Sequence, residues 1–404
     1  MKKQHLNLFK INEIQNLYLE NLNTDPFDFI KKYHKKIKNI DLKPIAEQIS
    51  NYRKALKKFP FLSDKPLFIY DQISIQQSSS ELAAKFKASL LKGSNFIDLT
   101  GGLGIDTLFI SNNFQNSIYC EQNEDIFEIF QHNLKILQNE KNITLFNGNS
   151  IEYLAKFDNF YFDWIYIDPA RRDNDKRFIK LESCSPDILK HMDLLTHKSK
   201  NILLKLAPAF DINEIVKKIP NVYKIIAVEI NYEMKETLVL IDNINIQNEI
   251  QLQAIDLKNN FEFTSKYSHE KTIIPDITIK DENYINILHP SIIKLQLTFE
   301  YCKQFNTVPQ DLNCNIAYTK QPLNNHRCYK LLKIIKYNEK QLKKELNELG
   351  IKKANIWLSN VNKDAMKLQN YLKISHNDNV GLFIYKDALN TEKIAIGTKI
   401  DNLL

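Results

Sequence analysis

The chain has 404 residues, of which 43% are hydrophobic and 25% charged, with a formal net charge of +7 and a pI near 8.8. That length holds about two or three domains with real cores, and no segment approaches the ~18 unbroken apolar residues of a membrane span. Five scattered cysteines, without a C-x-x-C, indicate neither a disulfide framework nor a zinc site. The start, Met1-Lys-Lys-Gln-His, lacks the apolar core of a secretion signal, so a cytoplasmic location is expected. The positive charge permits a nucleic-acid partner without requiring one. Arginine placement says more: of five arginines, Arg171, Arg172 and Arg177 fall within seven residues.

Residues 1–75 read as a helical N-terminal region, from the apolar spacing of Ile11, Ile14, Leu17 and Tyr18, and again of Ile45, Ile49, Tyr52 and Leu56. An extended piece, Leu67–Tyr70, follows Pro60. The lysine-rich run Lys31–Lys38 reads as a solvated helix face, with phosphate contact as the alternative. Ser78, three residues before Glu81, reads as a capping box that opens a helix to about Leu91; these side chains also arrive just before a glycine turn and could border its ligand.

Residues 76–245 alternate strand and helix. Strands are expected at 95–100, 116–121, 142–146, 163–168, 200–206, 222–230 and 236–242, and helices at 104–113, 123–139, 150–157, 185–197 and 211–219. Such alternation predicts a parallel sheet covered by helices on both faces. Asn231–Lys235 leaves no room for a crossover helix, so the last two strands must pair antiparallel.

After Asp242 the rhythm changes. Extended runs at 250–256 and 261–265 and a helix from Ser291 to about Gln304 suggest a small α+β unit over 246–326. Strand 328–337, helix 339–348, strand 353–359, helix 363–372 and strands 380–386 and 393–398 suggest another over 327–404.

In open α/β sheets ligands bind beyond the carboxyl ends of the strands. The first strand ends in Asp98-Leu-Thr100-Gly101-Gly102-Leu-Gly104-Ile-Asp106, a glycine turn entering a helix. Three of the chain's eight glycines lie here within four positions. Bare backbone beside unpaired helix N–H groups suits an anionic ligand group, although a glycine turn can also be only a turn. The second strand ends in Glu121-Gln122, where a carboxylate can accept from both hydroxyls of a ribose. The third ends near Asn149-Ser150, whose amide could read an adenine edge.

The fourth strand ends in Asp168-Pro169-Ala-Arg171-Arg172, a polar cluster whose guanidinium forks suit phosphate. Lys205, near the end of the fifth, either points into the cleft or snorkels. Cys184 lacks a neighbouring base and reads as packing rather than a nucleophile. His132 and His191 sit in helical stretches and read as structural.

On these motifs, residues 76–242 resemble class I S-adenosylmethionine-dependent methyltransferases. More closely, with Gln76-Gln-Ser-Ser-Ser-Glu81, Asp168-Pro-Ala-Arg-Arg172, Asn231-x-Glu233-x-Lys235-Glu236 and Lys353-Ala-Asn-Ile-Trp357, the chain looks like the bacterial family with a ferredoxin-like domain and a C-terminal THUMP-like domain. The resemblance implies a Rossmann-like seven-stranded sheet with its last strand antiparallel, N-terminal helices and two small C-terminal α+β domains.

It also implies S-adenosyl-L-methionine as cofactor, bound by Asp98, Thr100, the glycines, Asp106, Glu121, Gln122, Asn149 and Ser150. Asp168, Pro169, Arg171, Arg172 and Lys205 would face the substrate. The fourth motif lacks the Pro-Pro-aromatic of many base N-methyltransferases, so the target atom stays open. The expectation is an RNA methyltransferase acting on tRNA or rRNA, without metal or membrane. A protein or small-molecule methyltransferase, and a non-catalytic RNA-binding protein that keeps the cleft, are the alternatives. A dinucleotide-dependent oxidoreductase is disfavoured by the terminal hairpin.

Overall fold

The computed structural model describes residues 6–38, 40–137, 142–171, 180–268, 284–311, 314–323, 327–377, 379–387 and 389–400. They divide into two compact units, Met1–Tyr223 with Leu238–Asn248, and Lys224–Thr237 with Glu249–Leu404.

The first unit begins with helices α1 (Asn12–Glu20), α2 (Pro26–Tyr33) and α3 (Lys43–Lys58). Asp25 caps α2 by accepting from the N–H groups of Phe27 and Asp28, and Pro26 presets its first turn. The helices close over Tyr18, Phe29, Ile45, Ile49 and Phe59, all fully buried. The lysine run is only partly a helix face, because α2 stops at Tyr33 and Lys36 lies in the turn beyond it. Leu67–Tyr70 joins no sheet. Side-chain amides satisfy its backbone instead: Gln48 pairs with both N–H and C=O of Tyr70, and Asn133 with both groups of Ile69.

A short helix not anticipated from the sequence, α4 (Gln72–Gln77), precedes α5 (Glu81–Leu90). The expected Ser78 capping box does not form. Ser78 closes α4, donating its hydroxyl to the Ser74 carbonyl at 2.5 Å, and Ser80 caps α5 by accepting from Ala83 N–H. Glu81 instead accepts from the Phe61 N–H.

The sheet then runs through β1 (Gly93–Asp98), α6 (Ile105–Ile110), β2 (Phe114–Glu121), α7 (Glu124–Leu137), β3 (Ile143–Asn147), α8 (Ser150–Leu154) and β4 (Phe162–Ile167). A two-residue pair, β5 (Ala170–Arg171) with β6 (Cys184–Ser185), interrupts before α9 (Met192–Lys198), β7 (Ser199–Leu206) and α10 (Ile212–Lys218). The expected helix 185–197 is thus confined to its second half. Strands β1, β2, β3, β4 and β7 are mutually parallel in the order β7-β4-β1-β2-β3, which brings their carboxyl ends to one edge.

β8 (Val222–Ile230) and β9 (Glu233–Asp242) are neighbours in the sheet. Asn231 and Tyr232 between them both adopt positive φ, a two-residue turn that makes this hairpin antiparallel.

In the second unit the runs expected in a separate α+β unit pair beside β8 instead: β10 (Gln251–Asp256) pairs parallel with β8, and β11 (Phe261–Lys266) antiparallel with β10. β12 (Tyr284–Ile287) follows, and the single helix expected from Ser291 to Gln304 is two, α11 (Pro290–Lys294) and α12 (Thr298–Gln304). Gln296, left-handed at φ 58°, breaks it.

β13 (Val308–Pro309), β14 (Ile316–Thr319), β15 (Arg327–Lys336), α13 (Glu339–Glu348), β16 (Asn355–Ser359), α14 (Ala365–Leu372), β17 (Val380–Lys386) and β18 (Glu392–Lys399) complete the chain. The second sheet has the order β13-β14-β12-β15-β18-β17-β16, so strands from both sides of residue 326 share it.

Candidate functional site

The carboxyl edge of the first unit's parallel strands gathers the polar residues singled out from the sequence. Asp98 ends β1, almost wholly buried. Its carboxylate accepts from Thr100 N–H at 2.9 Å and from the Thr107 hydroxyl at 2.5 Å. Burial pushes its pKa up to about 7; the bonds from Thr107 and Thr100 oppose that shift, and the charges of Asp106 and Asp168 add to it.

The three glycines have different reasons to be glycine. A Cβ at Gly101 would come within 2.1 Å of the Tyr119 ring, and one at Gly104 within 1.9 Å of the Phe130 ring. Those rings stack on each other with centroids 4.0 Å apart. Two of the glycines therefore make room for the protein's own aromatic side chains. Gly102 differs: its φ is +54°, and a Cβ there would find nothing closer than Thr100 O at 3.9 Å. The open backbone expected of all three belongs to Gly102.

Beside it, Glu121 ends β2 half-buried. One carboxylate oxygen accepts from Gly102 N–H at 3.0 Å and the other from Asn123 N–H at 2.7 Å. Each oxygen has a lone pair left over, since an ionised carboxylate offers about four acceptor positions. Gln122, next along, is exposed. Asn149, exposed, has a local role as well. It caps α8, accepting from Ile151 and Glu152 N–H and donating to the Glu152 carboxylate at 2.7 Å. Ser150 begins that helix. Nearby, Phe146 and Tyr153 stack face to face at 3.8 Å, an aromatic pair that the sequence reading missed.

Asp106 is likewise turned inward. Its carboxylate accepts from the Ser79 and Tyr166 hydroxyls, each at 2.7 Å, and faces the Lys87 ammonium at 3.2 Å. Burial would raise its pKa, but Lys87, then Lys205, Tyr166 and Ser79 hold it below the ordinary carboxylate value. Lys87 is fully buried and also donates to Ser79. This network fastens α5 to the glycine turn. Ser79 belongs to the serine run expected beside the glycine turn, whereas Lys87 and Tyr166 were not anticipated, because a lysine in an amphipathic helix carries no mark of burial.

Asp168 follows β4. Its backbone N–H donates to Thr100 Oγ1 at 2.7 Å, and its carboxylate meets Lys205 Nζ at 2.5 Å. Lys205, with a side chain 11% exposed, points to Asp168 rather than snorkelling. Pro169 is half-buried. Arg171 contributes its backbone to β5, opposite Cys184; its side chain and the whole of Arg172 lie outside the described residues. Cys184 is buried, and His132 contacts the Leu67 carbonyl.

In the second unit, Glu229, Asp256 and His289 bring donor atoms within 4.8 Å of one another, fully enclosed. His289 Nδ1 bonds Glu229, whose other oxygen accepts from Ser291 N–H. Asp256 accepts from the N–H groups of Asn231, Tyr232 and Lys258. The carboxylates are thus spent on the hairpin turn and the start of α11, and the imidazole is stacked between Tyr232 and Phe261. The group is a hydrogen-bonded core cluster.

Among the described residues no helix is long and apolar enough to cross a membrane. The THUMP domain-like family model matches residues 326–399. No curated protein matches the chain. Among solved structures, a candidate methyltransferase of Porphyromonas gingivalis W83 superposes with a TM-score of 0.84 at 22% identity, covering 99% of this chain and 100% of its own. A candidate class I S-adenosylmethionine-dependent methyltransferase of Listeria monocytogenes covers 61% of this chain and 94% of its own at 11% identity, with a TM-score of only 0.37. The P. gingivalis likeness establishes fold: this chain is an α/β protein with large mixed sheets and helices, and it carries a THUMP-like domain at its C-terminal end.

Proposed function

We propose that the chain is an S-adenosylmethionine-dependent methyltransferase acting on RNA. The observation that carries this reading is the Glu121 carboxylate, held by the N–H of Gly102 beside the one stretch of turn backbone left open. That pairing fits a nucleoside whose ribose hydroxyls donate to Glu121 while its remaining part lies along Gly102. The strand order β3-β2-β1-β4-β7-β9-β8 with an antiparallel hairpin at its end supports the class I methyltransferase assignment. S-adenosylmethionine, when bound, supplies a methyl group already activated by its sulfonium.

The protein's task is then alignment. Asp168 stands at the end of the neighbouring strand, its backbone tied to Thr100 and its carboxylate to Lys205. From there it can accept a hydrogen bond, or the proton, from the nucleophile that takes the methyl group. Thr100 keeps that carboxylate in register with the glycine turn. The THUMP-like match and the net charge of +7 support RNA as the substrate.

The test is methyl transfer from labelled S-adenosylmethionine into total RNA from a strain lacking this gene. Incorporation into RNA, lost with Asp168→Ala and falling steeply with salt, is expected. Incorporation into protein or small molecules only would overturn the RNA assignment. Titration in which S-adenosylhomocysteine gives no heat would overturn the cofactor.

A further inference from the structure

Arg327 opens β15 in the second unit, and its environment is unusual for an arginine. Its backbone N–H donates to the Tyr232 hydroxyl at 2.8 Å. Its guanidinium carbon lies 4.4 Å from the centroid of the Tyr232 ring and 5.5 Å from that of Trp357. Two aromatic rings therefore position the fork, and both are themselves held. Tyr232 stacks on the His289 imidazole, and Trp357 lies nearly parallel to Phe383, 15° between planes.

What the clamp lacks is an acceptor. Among the described residues no carboxylate pairs with the Arg327 guanidinium, and the enclosed acids Glu229 and Asp256 are engaged by His289 and backbone N–H groups. The indole Nε1 of Trp357 is buried and, among the described residues, has no hydrogen-bond partner. Among the described residues the half-buried guanidinium fork of Arg327 therefore keeps donors that no protein carboxylate takes up. An anion with several acceptor oxygens can take up the fork, and a guanidinium positioned by two aromatic rings suits bidentate phosphate. The exposed remainder of such rings can also stack on an unpaired base.

We infer that Arg327, clamped by Tyr232 and Trp357, binds a backbone phosphate of single-stranded RNA. The inference rests on the RNA reading above and adds a site remote in sequence from the Gly102–Glu121–Asp168 cleft.

The test uses the full chain and a short labelled single-stranded RNA, titrated over a range of salt. Arg327→Gln is expected to weaken binding by about tenfold and to flatten the slope of log K against log salt by roughly 0.7, the loss of one phosphate contact. Arg327→Lys should recover the slope but only part of the affinity, since an ammonium lacks the fork. Trp357→Phe should weaken binding several-fold with the slope unchanged. S-adenosylhomocysteine affinity, unaltered in all three, serves as the check on folding.

If Arg327→Gln and Arg327→Lys bind RNA with wild-type affinity and slope, the inference is wrong although the methyltransferase reading stands. If the wild-type chain neither binds nor methylates RNA, that reading fails and this one with it. Competition by poly-glutamate equal to that of RNA would mark a carboxylate site instead and overturn the phosphate assignment.

Discussion

Lys205 Nζ lies 2.5 Å from the Asp168 carboxylate, and that carboxylate belongs to a residue whose N–H is already held by Thr100. The ends of β1, β4 and β7 are thereby tied at one point. Lys205→Met would free the Asp168 side chain without disturbing Glu121 or Gly102. We expect methyl transfer to fall by about 10²-fold, and by a similar or larger factor in Asp168→Asn, as for loss of a positioned acid–base group. Cofactor affinity should change by less than about threefold. Single-turnover rates compared with calorimetric titration of S-adenosylhomocysteine separate the two; equal losses in rate and affinity would refute the assignment.

The glycine turn predicts opposite outcomes for two alanine substitutions. Gly104→Ala adds a Cβ 1.9 Å from the Phe130 ring at φ +78°, so the Tyr119–Phe130 stack must shift. A loss of about 2–4 kcal/mol in urea unfolding is expected, from overpacking together with left-handed strain. Gly102→Ala meets no side chain and should cost only about 1 kcal/mol from its φ of +54°. It should nevertheless weaken cofactor binding by at least about tenfold, because the methyl occupies the open backbone face. Unchanged affinity in Gly102→Ala would remove the cradle from the proposal.

Lys87 and Asp106 form an enclosed ion pair, with Lys87 side-chain exposure at 0%. Lys87→Met leaves a buried carboxylate without its ion-pair partner, which costs about 3–5 kcal/mol. Adding Asp106→Asn should restore a large part of that loss. A double-mutant cycle in denaturant measures the coupling, and strict additivity would show that the pair is not acting as one.

Asp98 makes stability depend on pH in an unusual direction. Its pKa is about 7 in the folded chain, whereas an unfolded aspartate titrates near 3.9. Between those values the folded state holds the extra proton, so stability contributed by this group is present at low pH and lost as pH rises towards 7. The slope is at most about 1.4 kcal/mol per pH unit. Asp98→Asn keeps an oxygen for the Thr100 N–H and cannot ionise. Its stability relative to wild type should therefore improve steadily between pH 5 and pH 7, on the scale of that shift. Parallel melting curves at each pH would show otherwise.

Much of the architecture was legible locally. The seven strand positions of the α/β region, the helix 339–348 and the tight turn after Ile230 follow from periodicity, caps and loop length, which depend on residues close in sequence. So did the gathering of Asp98, Glu121 and Asp168 at one sheet edge, because parallel strands joined by helices leave no other arrangement. Ser78 misled because two helices compete for that serine run, and Asp71 starts the earlier one first.

What the sequence determined by itself was the order of the elements and the strand ends where chemistry could occur. Tertiary packing decided which polar residues remain available there. Asp106 and Asn149 sit in the right motifs, yet Lys87, Ser79 and Tyr166 take one, and the α8 backbone takes the other. Tyr119 and Phe130 claimed two glycines in the same way. Arg327 and Tyr232 are 95 positions apart, and no local pattern foretells their pairing. Hydrogen bonds and ring contacts are short-ranged in space but unconstrained in sequence, so their partners are chosen only when the chain has closed on itself.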